Sequence, residues 1–216
     1  MMRKVNGKMS EISLRRHGLE TFLDNLMPEE HGNPALKVSL RDDLGHISLR
    51  GSPASKRFLE AVAGVLGQPL PVAANTLTEG EHRALWLGPD EWLIVTSAAG
   101  TAQLLDTLGE LLAGQHAAVN DICGGTVTLR IAGERVRDVL AKGCTLDLHP
   151  AEFKVGECAQ SGLAKANILL AYVEAPATFD ITVRRSFSDY LCRWLQHAGR
   201  EYGIEFDQGA IHTAGD

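Results

Sequence analysis

VSLRDDLGHISLR (residues 38–50) and AVNDICGGTVTLR (residues 118–130) align with each other without a gap. An internal repeat of this kind predicts a duplicated architecture. In both copies apolar residues alternate on either side of a glycine that can take a positive φ angle, which predicts a hairpin of two strands. The aligned pairs are Gly45 with Gly125, Ile47 with Val127, Leu49 with Leu129 and Arg50 with Arg130.

A helix is predicted after each of these hairpins. In the first copy Ser52 is placed to cap the helix, Pro53 occupies the first helical position, and Gly67 ends it. The second copy has a shorter apolar stripe that stops at Gly143. The apolar stripe of the first helix consists of Phe58, Leu59, Val62, Val65 and Leu66.

A second hairpin follows in each copy. Residues 84–95 read ALWLGPDEWLIV, with Pro89 three residues before Trp92, and residues 169–183 read LLAYVEAPATFDITV. The later stretch has Pro176 three residues before an aromatic residue and carries no acid in its turn. This position therefore requires a turn and an aromatic anchor more than it requires a carboxylate.

A closing helix completes each copy. Thr101 is placed to cap the first closing helix, and Ser186 with Asp189 forms a capping-box pattern at the start of the second. The sequence therefore predicts an α+β fold of internally duplicated ββαββα units, with mostly antiparallel sheets that are covered by helices on one side.

Four segments divide the chain on this interpretation. The two α+β repeats occupy residues 36–115 and 116–203, and they are expected to share a core, because either unit alone would expose an apolar sheet face. Residues 1–35 are predicted to be a tail that can form an amphipathic helix over residues 10–27. Residues 204–216 are predicted to be a flexible C-terminal tail.

Composition excludes several functional classes. The chain has 216 residues and a formal net charge of -6, which argues against a protein that neutralises nucleic-acid phosphates. No apolar run approaches the ~20 residues that span a bilayer, and the start does not resemble a signal peptide, so we expect no membrane association and a cytoplasmic location. The four cysteines are widely spaced, which indicates reduced, mostly buried thiols and no metal site.

Two groups of side chains contain the residue types of a catalytic site. Asp90 and Glu91 could form an acid–base pair in apolar surroundings, but residues in a turn usually face water. Asp121, Cys123 and His149 supply the residue types of a cysteine nucleophile, but nothing in the sequence brings the histidine near the cysteine. In both cases a structural turn is the favoured interpretation, and no catalytic residue is assigned.

Arginines and tryptophans give the candidate partner interface. Arg184 and Arg185 either face solvent or meet an acidic partner surface, since arginine is favoured at interfaces. Trp86, Trp92 and Trp194 are either core residues or interface anchors, and the sequence does not separate these roles.

Several stretches resemble one known family. They are ALWLGPDEWLIV, TLRIAGERVRDVLAKGCTLDLHP, GECAQSGLAKANILL and FDITVRRSFSDYLCRWLQHAGREYG, and the similarity extends over residues 38–203. Together they resemble the gamma subunits of bacterial heterotetrameric sarcosine oxidases. That resemblance implies a fold like the folate-binding domain of glycine-cleavage aminomethyltransferases. It also implies alpha, beta and delta partner subunits.

The resemblance implies that the chemistry belongs to the partners. FAD, FMN, NAD, zinc and tetrahydrofolate are expected on the partner subunits, and no cofactor is expected in this chain. The related aminomethyltransferases carry a D-V-S segment where this chain has Asp121, Ile122 and Cys123. The expected function is therefore a non-catalytic assembly subunit of an enzyme that oxidatively demethylates sarcosine to glycine. The alternative is a stand-alone folate-binding protein for one-carbon transfer.

Overall fold

The computed structural model describes Leu19 and residues 34–207. The strands are β1 (Leu36–Leu40), β2 (Leu44–Arg50), β3 (Leu77–Glu79), β4 (Arg83–Gly88), β5 (Glu91–Ser97), β6 (Ala118–Asp121), β7 (Thr126–Ala132), β8 (Cys158–Leu163), β9 (Ala166–Glu174), β10 (Thr178–Arg184) and β11 (Ile204–Asp207). The α-helices are α1 (Lys56–Leu66), α2 (Thr101–Leu111), α3 (Val136–Ala141) and α4 (Ser188–Gly199). Short 3-10 turns occupy Cys123–Gly125, Arg185–Phe187 and Arg200–Tyr202.

The strands form two sheets of six and five strands. The order in the six-stranded sheet is β11-β1-β7-β10-β9-β8, and the order in the five-stranded sheet is β3-β4-β5-β2-β6. Among the described strands β1 and β11 pair in parallel and the other ladders are antiparallel. The predicted α+β class with mostly antiparallel sheets is confirmed.

The two sheets face each other, and helices cover their outer faces. Leu85 and Leu93 of the five-stranded sheet share an apolar cluster with Leu169 and Ala171 of the six-stranded sheet. Alternate residues of the same strands point the other way, because successive side chains of a strand lie on opposite faces. The outer face of the five-stranded sheet packs on α1 and α2, and that of the six-stranded sheet packs on α3 and α4.

The predicted hairpins at residues 38–50 and 118–130 are wrong. β1 does not pair with β2 but joins β7 in the six-stranded sheet, while β6 joins β2 in the five-stranded sheet. The reason is burial, since Val38 contributes to the core under α3 and α4, whereas Ile47 and Leu49 contribute to the core under α1 and α2. The six-stranded sheet therefore contains β1 from the first predicted unit, and the five-stranded sheet contains β6 from the second.

The gapless alignment of the two stretches is also shifted in register. Trp92 lies opposite Leu49, whereas Phe179 lies opposite Ile131. If the two aromatic residues are equivalent, Leu49 corresponds to Ile131 and not to Leu129. A register shift of one residue would move every side chain of a strand to the opposite face. The shift here, from Leu129 to Ile131, is of two residues and keeps every side chain on its face. For that reason the apolar pattern did not reveal it.

The structure corrects three predicted helix starts. Helix α1 begins after Ser55, whose hydroxyl accepts the Phe58 N–H, because Ser52 and Pro53 lie in a turn before the helix. Thr101 is the first residue of α2, and its hydroxyl donates to the Ser97 carbonyl instead of capping. Ser186 lies in a 3-10 turn, so the predicted capping box does not form and α4 begins at Ser188.

The two predicted tails are described only in part. Residues 204–207, expected to be part of a flexible tail, form strand β11 instead, because β1 offers a sheet edge and Ile204 is buried in the core under α4. Residues 208–216 lie outside the described residues. The predicted N-terminal helix also lies outside them, apart from Leu19, which is buried in the same core as Ile204.

Candidate functional site

The tip of the β4–β5 hairpin places its two acids in structural roles. Asp90 is exposed in the turn, and its carbonyl accepts the Gly51 N–H. Glu91 forms an ion pair with Arg50 of the neighbouring strand, with 2.7 Å between Oε2 and Nη2. The two carboxylates thus occupy a turn and a surface ion pair, which supports the structural interpretation of this stretch.

Trp92 is a core residue, and its assignment to a partner interface is wrong. Its side chain is 0% exposed, packs on Phe58 with ring centroids 5.8 Å apart, and donates its indole N–H to the Pro71 carbonyl at 2.7 Å. Trp86 lies opposite Trp92 in the β4–β5 ladder and packs against the same core. Trp86 is only half-buried, so part of its ring is accessible.

The remaining candidate interface residues lie on the six-stranded sheet and its helix. Trp194 is half-buried, and it covers Gly143, where an added Cβ would lie 2.5 Å from the indole ring. Arg184 is exposed at the end of β10, and Arg185 is half-buried in the following 3-10 turn. The structure therefore brings the two arginines together at the start of α4 and places Trp86 on the other sheet.

The structure places a buried carboxylate between the sheets, which the sequence analysis did not predict. The Asp180 side chain is 5% exposed and accepts from Arg130 at 2.7 and 2.9 Å. It also accepts from Arg83 at 2.8 Å. Arg130 and Asp180 belong to the six-stranded sheet and Arg83 to the five-stranded sheet, so these contacts join the two sheets. An aspartate within the apolar run TFDITV was the one signal that could have indicated this site.

A small cleft opens beside this ion-pair cluster. It has a volume of about 180 Å³, and Arg41, Arg83 and Arg130 are among its lining residues. Arg41 forms a bidentate contact with Asp43, and this hydrogen bond lowers the pKa of the Asp43 carboxyl. Arg83 also contacts Glu79, so cations and anions are interleaved around the cleft.

The structure does not bring His149 to Cys123, in agreement with the structural interpretation of this turn. His149 is bonded within its own loop to Asp147 and Ala151. Near Cys123 lies His46 instead, whose backbone N–H donates to Sγ at 3.1 Å, and Asp121 accepts the Cys123 N–H at 2.8 Å. This arrangement is a local turn held against β2.

The His46 imidazole is a buried structural group. Its Nε2 lies 2.9 Å from the hydroxyl of Thr128, which in turn lies 2.7 Å from that of Thr182. Burial lowers the pKa of His46 from 6.5 to about 4, against the opposing effects of Asp121 and Asp180. The imidazole is therefore neutral at pH 7, because burial disfavours the charged form.

Other site classes find no support in the described part of the chain. It contains no group of three or more His, Cys, Asp or Glu side chains that could hold a metal ion. Burial raises the pKa values of Cys158 and Cys192 to about 12, which leaves both thiols protonated and unreactive at neutral pH. Within the same residues no helix has the length and apolar character needed to cross a membrane.

The fold resembles that of a solved aminomethyltransferase. The glycine cleavage system aminomethyltransferase T from Bartonella henselae superposes with a TM-score of 0.59 at 15% identity, over 81% of this chain and 48% of that one. The two proteins therefore share a fold, in which paired sheets carry helices on their outer faces.

Sequence comparisons identify the family. The model of the "Sarcosine oxidase, gamma subunit family" matches residues 50–201, and the chain belongs to that family. The gamma subunit of sarcosine oxidase from Corynebacterium sp. (strain U-96) is 33% identical over 158 residues, which are 72% of this chain and 75% of that protein. The gamma subunit from Corynebacterium sp. (strain P-1) is 30% identical over 205 residues, or 93% and 97% of the two chains.

A solved structure supports the same assignment. A chain of heterotetrameric sarcosine oxidase from Corynebacterium sp. U-96, in complex with pyrrole 2-carboxylate, superposes with a TM-score of 0.79. The identity is 29%, over 89% of this chain and 98% of that one.

Proposed function

We propose that this chain is the gamma subunit of a heterotetrameric sarcosine oxidase and acts as a non-catalytic assembly subunit. The observation that carries the proposal is the superposition on a chain of the Corynebacterium enzyme over nearly the full length of both chains. On this proposal the oxidoreductase activity belongs to the complex, and this chain contributes to it by stabilising the subunits that hold the cofactors.

The reaction and the partners follow from the family resemblance. The complex would demethylate sarcosine oxidatively to glycine, with formation of hydrogen peroxide and of formaldehyde or methylene-tetrahydrofolate. Alpha, beta and delta subunits would carry FAD, FMN, NAD, zinc and tetrahydrofolate. A cytoplasmic location remains a prediction from the sequence.

The polar groups of the described chain support a structural role. Asp180 is occupied by two arginines, and the neutral imidazole of His46 is held among threonine hydroxyls. Glu91 is held in a surface ion pair with Arg50. These side chains are held in contacts within the chain, so none of them is placed as a free general acid or base.

The test compares the complex with and without this chain. All four subunits are co-expressed and purified, and assembly is measured by native mass spectrometry and sarcosine-dependent peroxide release. Omission of this chain should reduce both the yield of the assembled complex and its turnover, whereas the isolated chain should oxidise no sarcosine. Normal assembly and turnover in its absence, or oxidation by the chain alone, would contradict the proposal.

The fold shared with an aminomethyltransferase makes folate binding the second candidate function. The cleft beside Asp180 has about 180 Å³, which is below the ~300–1,000 Å³ of typical ligand pockets, so it does not favour this candidate. Calorimetric titration of the isolated chain with tetrahydrofolate should give no saturable heat. A saturable signal would favour the folate-binding alternative.

A further inference from the structure

A groove crosses one end of the six-stranded sheet on the face that is turned toward the other sheet. It has a volume of about 320 Å³, and its walls include Thr126, Gln160, Asn167, Leu169, Arg184 and Phe187. Thr126 pairs with Arg184, and Gln160 pairs with Leu169, so the groove extends over β7, β10, β9 and β8.

The groove begins where the five-stranded sheet ends. Leu169 belongs to the apolar cluster between the sheets, so residues in register with it share the inner face. The amide of Gln160 donates to the Leu87 carbonyl of the five-stranded sheet at 2.7 Å. Beyond this contact the inner face of the six-stranded sheet carries Thr126 and Arg184 and is open as a groove.

The charge at this end differs from the rest of the protein. The chain has a net charge of -6, and most of its described arginines are held in ion pairs. Neither guanidinium of Arg184 and Arg185 forms an ion pair or hydrogen bond with another residue of the described range. Ion pairs elsewhere in the described chain include those of Arg41, Arg50, Arg83, Arg130, Arg135 and Arg193.

An exposed aromatic ring stands beside these two charges. Phe187 is 41% exposed although it is a large apolar side chain, and it forms part of the groove wall. Aromatic residues and arginines are enriched at the centres of protein interfaces, where an apolar anchor is combined with charge-assisted hydrogen bonds. The groove thus offers both kinds of contact within one short segment.

We propose that this groove binds an extended acidic segment of a partner subunit. Arg184 and Arg185 hold its carboxylates, and an apolar side chain of the segment packs on Phe187 and Leu169. Charge complementarity selects an acidic partner, because two unpaired guanidinium groups would repel a basic one. This inference rests on the proposed function, since it requires that the chain assembles with other subunits.

The test reverses the two charges in the full-length chain. The variant Arg184→Glu/Arg185→Glu is compared with the matched control Lys56→Glu/Arg57→Glu, which reverses two exposed charges at the start of α1. Affinity for the other co-purified subunits is measured by biolayer interferometry at several NaCl concentrations. The charge-reversed variant should bind roughly tenfold more weakly or worse, and the control should bind like wild type. Wild-type affinity should fall as the salt concentration rises.

Further variants and measurements separate the outcomes. Phe187→Ala should also weaken binding, and this effect should not depend on salt. If the wild-type chain does not bind the other subunits at all, the proposed function fails. If it binds and the Arg184→Glu/Arg185→Glu variant binds equally well, only the groove assignment fails. Unchanged affinity together with a lower melting temperature of that variant would show that the chain's own segments fill the groove, and would also overturn the inference.

Discussion

The side chain of Asp180 links the two sheets through charge. Its partners Arg83 and Arg130 are themselves mostly buried, with 14% and 29% of their side chains exposed. Burying charges is costly unless they are paired and hydrogen-bonded, and here each oxygen of the carboxylate receives at least one donor. A buried ion pair adds little net stability compared with apolar residues, but removal of one partner leaves an uncompensated buried charge.

Removal of this carboxylate should destabilise the protein strongly. Asp180→Asn leaves two buried guanidinium groups without a counter-charge, and we expect a loss of about 3 kcal/mol in the free energy of unfolding. Asp138→Asn is the control, because Asp138 forms an exposed ion pair with Arg135 and its loss should cost less than about 1 kcal/mol. Urea unfolding followed by circular dichroism measures both. Equal losses in the free energy of unfolding would show that the inter-sheet cluster contributes no more to stability than the exposed ion pair does.

His46 makes the stability depend on pH. Its pKa is about 4 in the folded protein and 6.5 when unperturbed, so the unfolded state binds the proton more tightly. The stabilising contribution is present above pH 6.5 and is lost as the pH falls toward 4, by on the order of 3 kcal/mol. In urea unfolding at several pH values, His46→Gln should show a shallower loss of stability over this range. A variant with the wild-type slope would exclude His46 as the cause.

At the scale of elements, the β4–β5 hairpin carries one core anchor and one partly exposed tryptophan. Trp92→Ala removes a fully buried ring and its hydrogen bond to Pro71, and should lower the free energy of unfolding by about 4 kcal/mol. Trp86→Ala should lower it by less than about 2 kcal/mol, because part of this ring already contacts water. Chemical unfolding of both variants measures the difference. Similar losses would contradict the core assignment of Trp92.

The connection after β7 depends on a glycine. Gly133 has φ +134°, and a Cβ there would lie 2.1 Å from the Ala35 carbonyl oxygen beside β1. Gly133→Ala should therefore destabilise the protein by about 3 kcal/mol. Gly109→Ala is the control, since Gly109 lies within α2 with open space around it, and this change should stabilise by about 0.5–1 kcal/mol. In thermal unfolding, Gly133→Ala should lower the melting temperature and Gly109→Ala should raise it. An unchanged melting temperature for Gly133→Ala would contradict the close approach of residue 133 to the Ala35 carbonyl.

The sequence predicted the secondary-structure elements better than it predicted which strands pair with each other. The proline-to-aromatic spacing in two turns correctly indicated two hairpins, but it did not show that the side chains of Trp92 and Phe179 are buried. Alternation fixes the face of a residue but not the strand beside it, so β1 and β6 were predicted in the wrong pairs. Asp180 was missed because its partners lie 50 and 97 residues away along the chain, beyond any local pattern.

On the scale of the whole molecule, the exchange of β1 and β6 makes the two predicted units interdependent. Residues 36–115 expressed alone lack β6, and residues 116–207 expressed alone lack β1, so each fragment leaves a sheet incomplete. We expect each fragment alone to be unfolded or aggregated, and the two mixed together to regain native circular dichroism. A full-length chain with a protease site inserted at residues 113–115, cleaved after folding, is the control and should remain folded. A fragment that melts cooperatively by itself would contradict this interdependence.

The position of β1 also affects how the protein is made. This strand is synthesised long before its neighbours β7 and β11, and its residue Leu36 pairs with Ile204 of β11. Pairing between distant segments of a chain slows folding, and an unpartnered strand attracts other chains in the meantime. The six-stranded sheet can therefore close only after β11 has been synthesised, and until then β1 exposes an unpaired edge that favours aggregation.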